Sequence, residues 1–395
     1  MNWLSQTLAV TAVTLRSIPQ RLGSSIVAII GIGGVVVVFT AVLSIAEGFR
    51  AAMQGTGDPQ TVIVLRSGSD TEMTSGFGGE EARLIAEGPG LEHGPEGAHA
   101  SPELFVIVGH PLKRSGTDAN VPLRGVTLDA LRVRPQVRIV EGRMFHPGTN
   151  EIVVGRAASR QFSGLNVGAS VRWGDSSWQV VGVFDAGGSV AESELWCDAK
   201  VLQPAYRRGN SYQSVYARLE SVDSFQKYKD ALTTDPRLNV SVVREPDYYS
   251  QQSQVLQTVI RSIGFGIAGL MGLGAIFGAL NTMYSAVANR TREIATLRAL
   301  GFGASPVVMS VLIEAVLLSV IGGLIGGGLA WAGFDGYQTT TMNWQSFSQV
   351  AFAFDVSPSL LLRGMLYAIV IGLLGGLFPA VRAARMPVVT ALRQL

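Results

Sequence analysis

The chain of 395 residues has one cysteine, Cys197, and four histidines. A single thiol cannot build a disulfide framework or a cysteine-based metal site within one chain. Charge is scarce at 15%, against about 25% in ordinary soluble domains. Lysine is rarer still, with four residues, all between positions 47 and 255. No Gly-Lys pair occurs, so the phosphate-cradling loop G-x-x-x-x-G-K-[ST] is missing, and with it an ATPase site of that kind. A net charge of +2 argues against a nucleic-acid partner. What abounds is apolar: 47% hydrophobic residues, mean hydropathy +0.31, and 47 glycines. Glycine at that level, without a collagen period, suits close helix contact in a bilayer.

Four stretches have membrane length. Residues 22–46, 262–289 and 364–381 carry no charge, and 306–334 carry only Glu314. A spanning helix needs about 20 apolar residues. The first run is too long for the h-region of a signal peptide, which spans about 7–15 residues. The short segments 1–24, 290–305 and 382–395 hold Arg16, Arg21, Arg290, Arg292, Arg298, Arg382, Arg385 and Arg393 against one acid, Glu293. Arginine-rich short segments stay in the cytoplasm, whereas long domains translocate regardless of charge. Both termini are therefore expected inside and residues 47–255 outside. The first 20 residues read as a helix lying at the interface, with Trp3 at headgroup depth and Pro19 as its stop.

In the outside segment, short β-branched runs at 61–65, 104–108, 137–140, 151–154, 169–173, 178–184 and 240–243 read as strands. Helical patterns fit 79–87, 156–163 and 222–232. The mixture predicts an α+β domain in two lobes, with a mobile Gly/Pro/acid-rich loop at about 67–101. His93, His99, His110 and His146 have no metal-ligand spacing around them and read as solvent-exposed loop residues. Asp185, Glu192, Glu194 and Asp198 read as a solvated turn rather than an acid–base set. Cys197, after Trp196 in an expected strand, reads as a buried structural thiol. Neither a catalytic residue nor a cofactor or metal site is expected in this chain.

Small residues recur along the spans, at Gly264, Gly272 and Gly278, at Gly322 and Gly326, and at Gly372 and Gly376, marking helix-packing faces. Glu314 lies about 13 Å into its span at ~1.5 Å per residue. An intramembrane acid could relay protons. It could equally sit near the cytoplasmic boundary and pair with an arginine of the adjoining loop. That loop, 290–305, places Ile294, Leu297 and Leu300 on one helical face, with Arg290, Arg292, Glu293 and Arg298 polar. Gly301 reads as its left-handed stop, and Ser305-Pro306 as the cap and first residue of the next helix. Such a helix could lie on the membrane surface or plug into another protein.

The segment ANRTREIATLRALGFGASPVVMSVLIEAVLLSVIGGLIG resembles the hallmark region of FtsX/MacB-type ABC transporter permeases. The ending GLLGGLFPAVRAARMPVVTALRQL is similar to that family's closing motif. VEGRMF, EIVVGRAASRQF, NVGASV and WQVVGVF resemble its periplasmic core domain. The resemblance implies a membrane protein with four transmembrane α-helices and a large α+β extracytoplasmic domain inserted between the first and second. It implies transmembrane helices at 22–46, 256–289, 306–334 and 359–381, a periplasmic loop at 335–358 and a cytoplasmic tail at 382–395. It makes 290–305 the coupling segment, with Arg290, Arg292, Glu293, Ile294, Leu297, Arg298, Leu300 and Gly301 meeting a separate ABC ATPase that binds the ATP and Mg. A second permease copy or paralogue, and an adaptor with an outer-membrane duct, belong to the same expectation. So do a bacterial inner-membrane location and export or extraction of a drug, peptide, siderophore or lipoprotein by mechanotransmission. The alternative is a membrane scaffold whose outside domain controls a partner such as a cell-wall hydrolase, through a patch at Phe77, Leu104 and Phe105.

Overall fold

A computed structural model of the chain describes residues 3–16, 22–55, 57–95, 97–343 and 347–387. Two helices open it, α1 (Trp3–Arg16) and α2 (Leu22–Gln54). Then come β1 (Thr61–Arg66), β2 (Phe77–Gly78), α3 (Gly79–Ala86), β3 (His93–Gly94), β4 (Gly97–Ala98), β5 (Ala100–Pro111), β6 (Asp118–Val126) and α4 (Ala130–Val133). Next are β7 (Arg138–Gly142), β8 (Glu151–Gly155), α5 (Arg156–Gln161), β9 (Ser170–Trp173), β10 (Ser176–Asp185), β11 (Leu195–Asp198) and α6 (Ala199–Ala205). β12 (Ser211–Tyr212), β13 (Ser214–Arg218), α7 (Ser224–Thr234) and β14 (Val240–Arg244) follow. The chain ends with α8 (Glu245–Ala288), α9 (Thr291–Ala299), α10 (Ala304–Phe334), β15 (Gln338–Asn343), β16 (Ser348–Ala353) and α11 (Pro358–Arg385). Two compact units result, one of residues 1–47, 258–337 and 354–395, the other of 48–257 and 338–353.

Helices α2, α8, α10 and α11 are each long and apolar enough to span a membrane. At ~1.5 Å per residue the 44 residues of α8 measure about 66 Å, twice a hydrocarbon core of about 30 Å. Its residues up to Gln257 accordingly belong to the second unit. In the first unit the glycines decide how closely helices approach. A Cβ on Gly326 would collide with the Gly33 carbonyl, and one on Gly322 would sit 2.9 Å from the Ile29 carbonyl, so α10 crosses α2 backbone to backbone. Gly372 and Gly376 accept Ser319 and Ala315 of α10, while Gly264 and Gly272 accept Val42 and the Tyr367 hydroxyl. Gly278 differs from its six companions: nothing among the described residues lies within 4 Å of its Cβ position, so no close helix approach depends on its lacking a side chain.

Glu47 ties three helices together at one end of this bundle, 3.6 Å from Arg261 and 3.9 Å from Arg363. α1 is held to α10 by its own polar groups. The Trp3 indole donates to Ser305 Oγ at 3.2 Å, and the Gln6 amide oxygen accepts from Gly303 N at 3.1 Å. Ser305 is thus a partner of Trp3, and Gly303 takes the cap position of α10. Thr7, Val10, Thr11 and Thr14 are buried, whereas Leu4, Leu8 and Val13 face outward. Pro19, Arg21 and Arg393 lie outside the described residues.

The second unit is built on a ten-stranded sheet in the order β14-β1-β13-β5-β6-β11-β8-β10-β7, with β9 paired to β10. β5 belongs to both lobes. Residues 100–103 pair with β13, and residues 104–111 pair with β6. One lobe packs α3 and α7 over Val62, Val64, Phe77, Ile85, Leu91 and Tyr228. The other encloses Leu104, Leu123, Ile152, Phe162, Trp178 and Leu202. The lobes therefore divide within a strand, and residues 67–101 are not the loop that was expected. Those residues form a turn at Glu72–Thr74, then β2 and α3, and Phe77, Ala82, Ile85 and Leu91 anchor them in the core. Apolar residues at helical spacing outweigh the Gly/Pro content there.

Among the elements not anticipated are β6, β13 and α6. β6 carries Pro122 and Arg124 inside a central strand, against both composition and propensity. The residues expected to be a plain loop at 335–358 include the hairpin β15–β16, whose alternating Ser348, Val350 and Phe352 are buried.

Candidate functional site

Two places bring chemistry-bearing residues together, one in each unit. In the first unit, Gly301 adopts φ +93° and ends the short helix α9. Ile294 is buried with Val287, Val307, Val311, Ala380 and Ala383, and the Arg298 guanidinium donates to the Ala384 carbonyl. These contacts fix the helix against α8, α10 and α11. Arg292, Glu293, Thr296 and Leu300 face outward, and Leu300 is 73% exposed. Leu297 is half-buried. So Ile294, expected to fill a partner's groove, fills this chain's own core, and Leu300 is the apolar side chain left outside. Arg290 also turns inward. It is 7% exposed, meets Glu314 at 3.3 Å and donates to the Thr14 carbonyl at 2.6 Å. The intramembrane acid is thereby paired, which joins α1, α9 and α10.

In the second unit, where the lobes meet, two arginines and four glutamates lie buried. Arg124 on β6 donates to Glu194 through Nε and Nη2, both at 2.8 Å. It also forks onto Glu72 at 2.6 and 3.0 Å and reaches Glu103 at 3.0 Å. Arg134 holds Glu103 bidentately at 2.7 and 2.9 Å and lies 3.7 Å from Glu245, the first residue of α8. Bidentate charge-assisted bonds of this kind fix orientation as well as energy. The remaining oxygens are satisfied nearby, with Ser214 Oγ donating to Glu72 and the Trp196 indole to Glu194. Tyr216 lies under Arg134, 3.8 Å from guanidinium carbon to ring centre, and meets the Tyr249 hydroxyl of α8 at 3.3 Å.

Burial and charge pull the members of this cluster in different directions. Burial opposes the charged form of Glu72, but Arg124 and the Ser214 hydroxyl more than compensate and hold its carboxyl below the usual range. Burial pushes Glu245 up to about 7, and Arg134 at 3.7 Å and the more distant Arg124 offset it only in part. One oxygen of Glu245 has no hydrogen-bond partner. Two arginines against four carboxylates leave the cluster acidic, and a proton on Glu245 relieves part of the excess. No spacing reveals this cluster: Glu72, Arg124, Glu194 and Glu245 are far apart in sequence, and each alone reads as a surface charge.

Several expectations are corrected here. Glu192, Glu194 and Asp198 are buried, and they serve as structural acceptors rather than a solvated turn. Glu192 accepts from Ala186 N and Gly188 N, and Asp198 accepts from Lys200 N and Gly148 N. Asp185 pairs with Arg156. Phe77, Leu104 and Phe105 are core residues and do not form the exposed patch expected of them. His110 is buried against Phe162 and Trp173 and bonds the Ser163 carbonyl, while His93 and His146 are exposed. Cys197 is buried, and burial pushes its thiol well above the ordinary value. Among the described residues no group of His, Cys, Asp and Glu could hold a metal ion.

Four helices long and apolar enough to span a membrane, with an α+β domain inserted between the first and second, define the class as a multi-spanning membrane protein. Residues 25–235, more than half the chain, match the MacB-like periplasmic core domain, and residues 265–388 match the FtsX-like permease C-terminal domain. The chain belongs to the MacB/FtsX-like family of ABC transporter permeases. It is 25% identical to an uncharacterized ABC transporter permease, YknZ of Bacillus subtilis, over 98% of this chain and 96% of that one. It is also 25% identical to the macrolide export ATP-binding/permease protein MacB of Nitrosomonas europaea, over 92% of this chain and 55% of the relative. The crystal structure of the extracellular domain of YknZ aligns with 47% of this chain at 18% identity and a TM-score of 0.36.

Proposed function

We propose that this chain is the permease subunit of an ABC transporter whose ATP is bound, with Mg, by a separate ATPase subunit. The outer face of α9 carries the proposal. A short helix is pinned to the bundle by Ile294 and Arg298, while Arg292, Glu293 and Leu300 are left outward. A fixed helix with an apolar knob and flanking charges fits a groove on a partner. Arg292 would make charge-assisted bonds to acidic or carbonyl groups there. Leu297 and Gly301 set the angle of that knob, and Arg290 positions the helix from within.

In this reading the chain lies in a bacterial cytoplasmic membrane with both termini and α9 on the ATPase side. It pairs with a second permease copy or paralogue. Closure of the ATPases displaces α9 and the adjoining α8. Because α8 is one unbroken helix whose first turn carries Glu245, Tyr248 and Tyr249, displacement reaches the arginine–glutamate cluster and so both lobes of the outside domain. Work is thus done on a periplasmic or membrane-embedded substrate without a catalytic group in this chain. A periplasmic adaptor and an outer-membrane duct would complete an exporter of this type.

The test is purification of the tagged full chain in mild detergent together with an ABC ATPase, measuring ATP hydrolysis. We expect stimulated hydrolysis with the wild type and with Leu300→Ala reduced severalfold, and none with Leu300→Asp, while the variant still inserts and keeps its melting temperature. Unchanged stimulation by both Leu300→Asp and Arg292→Glu would overturn the coupling role.

A further inference from the structure

Helix α1 carries its amphipathic pattern inside out. Its packed side is Thr7, Val10, Thr11 and Thr14, all buried. The Thr7 and Thr14 hydroxyls donate back to the carbonyls of Trp3 and Val10, so threonines can face a packed helix there without seeking water. Its outward side holds Trp3, Leu4, Leu8, Ala12 and Val13, with Leu4 66% and Leu8 70% exposed. No charged residue occurs from position 3 to position 15. A helix bounded by water turns its leucines in and its polar side chains out. One with threonines in and leucines out is bounded on its free side by hydrocarbon.

The same helix is bonded at both ends to the segment that carries α9. At its start the Trp3 indole meets Ser305, and the Gln6 side chain accepts from Gly303 N. At its end the Thr14 carbonyl accepts from Arg290. Arg290 and Gly303 are the residues that cap α9 and α10. So α1, about 20 Å long at ~1.5 Å per residue, straps the segment 290–305 from one flank of α9 to the other. We propose that the outward face of α1 is a lipid-binding surface, and that its seating among acyl chains fixes the position of α9. Aliphatic side chains with an indole at one end are the composition that a membrane boundary selects. Without lipid, α1 would roll to bury Leu4 and Leu8, and the roll breaks the bonds to Arg290, Gly303 and Ser305. The lipid dependence of ATP hydrolysis that follows rests on the coupling role of α9, whereas the strap does not.

The test uses the full chain in nanodiscs of phosphatidylethanolamine and phosphatidylglycerol, without an ATPase. Hydrogen exchange is read at residues 291–300, with α3 as the internal control. One variant, Leu4→Asn with Leu8→Asn, spoils the lipid face and leaves the clamps. A second, Trp3→Phe with Gln6→Leu, removes two clamps and leaves the leucines. We expect each to raise exchange in α9 at least fivefold and to leave α3 unchanged. Trp3 fluorescence, taken as wild type minus Trp3→Phe, should fall by at least half in nanodiscs of lipids with brominated acyl chains. Unchanged exchange of α9 in both variants would overturn the strap. Unquenched Trp3 would overturn the lipid assignment, and a change of oligomeric state in the Leu4/Leu8 variant would then give that face to a second copy of the chain. Hydrolysis by an added ABC ATPase separates the two readings. Stimulation should fall in both variants, and a loosened α9 with full stimulation supports the strap while overturning the coupling role.

Discussion

Replacing Arg124 by methionine tests the buried cluster most directly. The substitution removes five charge-assisted hydrogen bonds. Glu103 retains both bonds from Arg134, but Glu72 keeps only Ser214 and Glu194 only Trp196. Two carboxylates are then buried without a cation. Breaking one buried pair in this way costs about 3–5 kcal/mol. The alternative is protonation. At about 1.4 kcal/mol per pH unit, neutralising a glutamate with an ordinary value near 4.3 costs about 4 kcal/mol at pH 7 and about 1 at pH 5. The variant should therefore lose about 4–7 kcal/mol at pH 7 but only about 2 at pH 5. The larger figure is comparable with a whole domain's stability of about 5–15 kcal/mol.

The assay is urea unfolding of the full chain in detergent, followed by the fluorescence of buried Trp173, Trp178 and Trp196. The triple variant Arg124→Met, Glu72→Gln, Glu194→Gln removes the unpaired charges and should recover most of the loss. A deficit of equal size at both pH values, with no recovery in the triple variant, would refute the electrostatic account and leave only lost packing.

Three further outcomes follow from the geometry. Glu245 sits at about 7 in the fold, above an ordinary glutamate, so between about 4.5 and 7 the folded state holds a proton that the unfolded chain has released. Stability contributed by that proton is complete below about 4.5 and falls as pH rises to about 7, by up to about 3 kcal/mol. Glu245→Gln should abolish that slope and be the more stable form at pH 8, and a slope identical to wild type would exclude Glu245 as its source. Gly326→Val should lower the melting temperature in detergent, because its Cβ meets the Gly33 carbonyl and overpacking costs about 1–3 kcal/mol. The control Gly328→Val, with open space at its Cβ, should not, and equal melting temperatures would count against backbone contact of α2 and α10. Leu300→Asp should leave folding intact, since that side chain is exposed, and circular dichroism of the purified variant checks this.

Composition and periodicity were enough to establish four spanning helices and an inserted α+β domain. Each depends on local composition: an uncharged run of membrane length has few places to go other than a bilayer. The strands at 61–65 and 178–184 and the helix at 79–87 were legible for the same reason, because apolar spacing within a few residues dictates which face is buried. Gly301 was legible as a helix stop because a positive φ suits glycine.

What only the tertiary structure decided are relations between residues distant in sequence. Arg124 within β6 contradicts strand propensity, and its burial makes sense only once Glu72, Glu103 and Glu194 converge on it from three other segments. The same holds for the 67–101 segment, whose polar composition suggested mobility until its few apolar residues found a core. Ile294 and Leu300 were expected on one apolar face, yet at 3.6 residues per turn they stand about 120° apart, and α8, α10 and α11 cover only the Ile294 side of α9. Periodicity tells that a face is apolar. Which protein covers it, this chain or another, depends on how the helices pack, and that is a property of the whole fold.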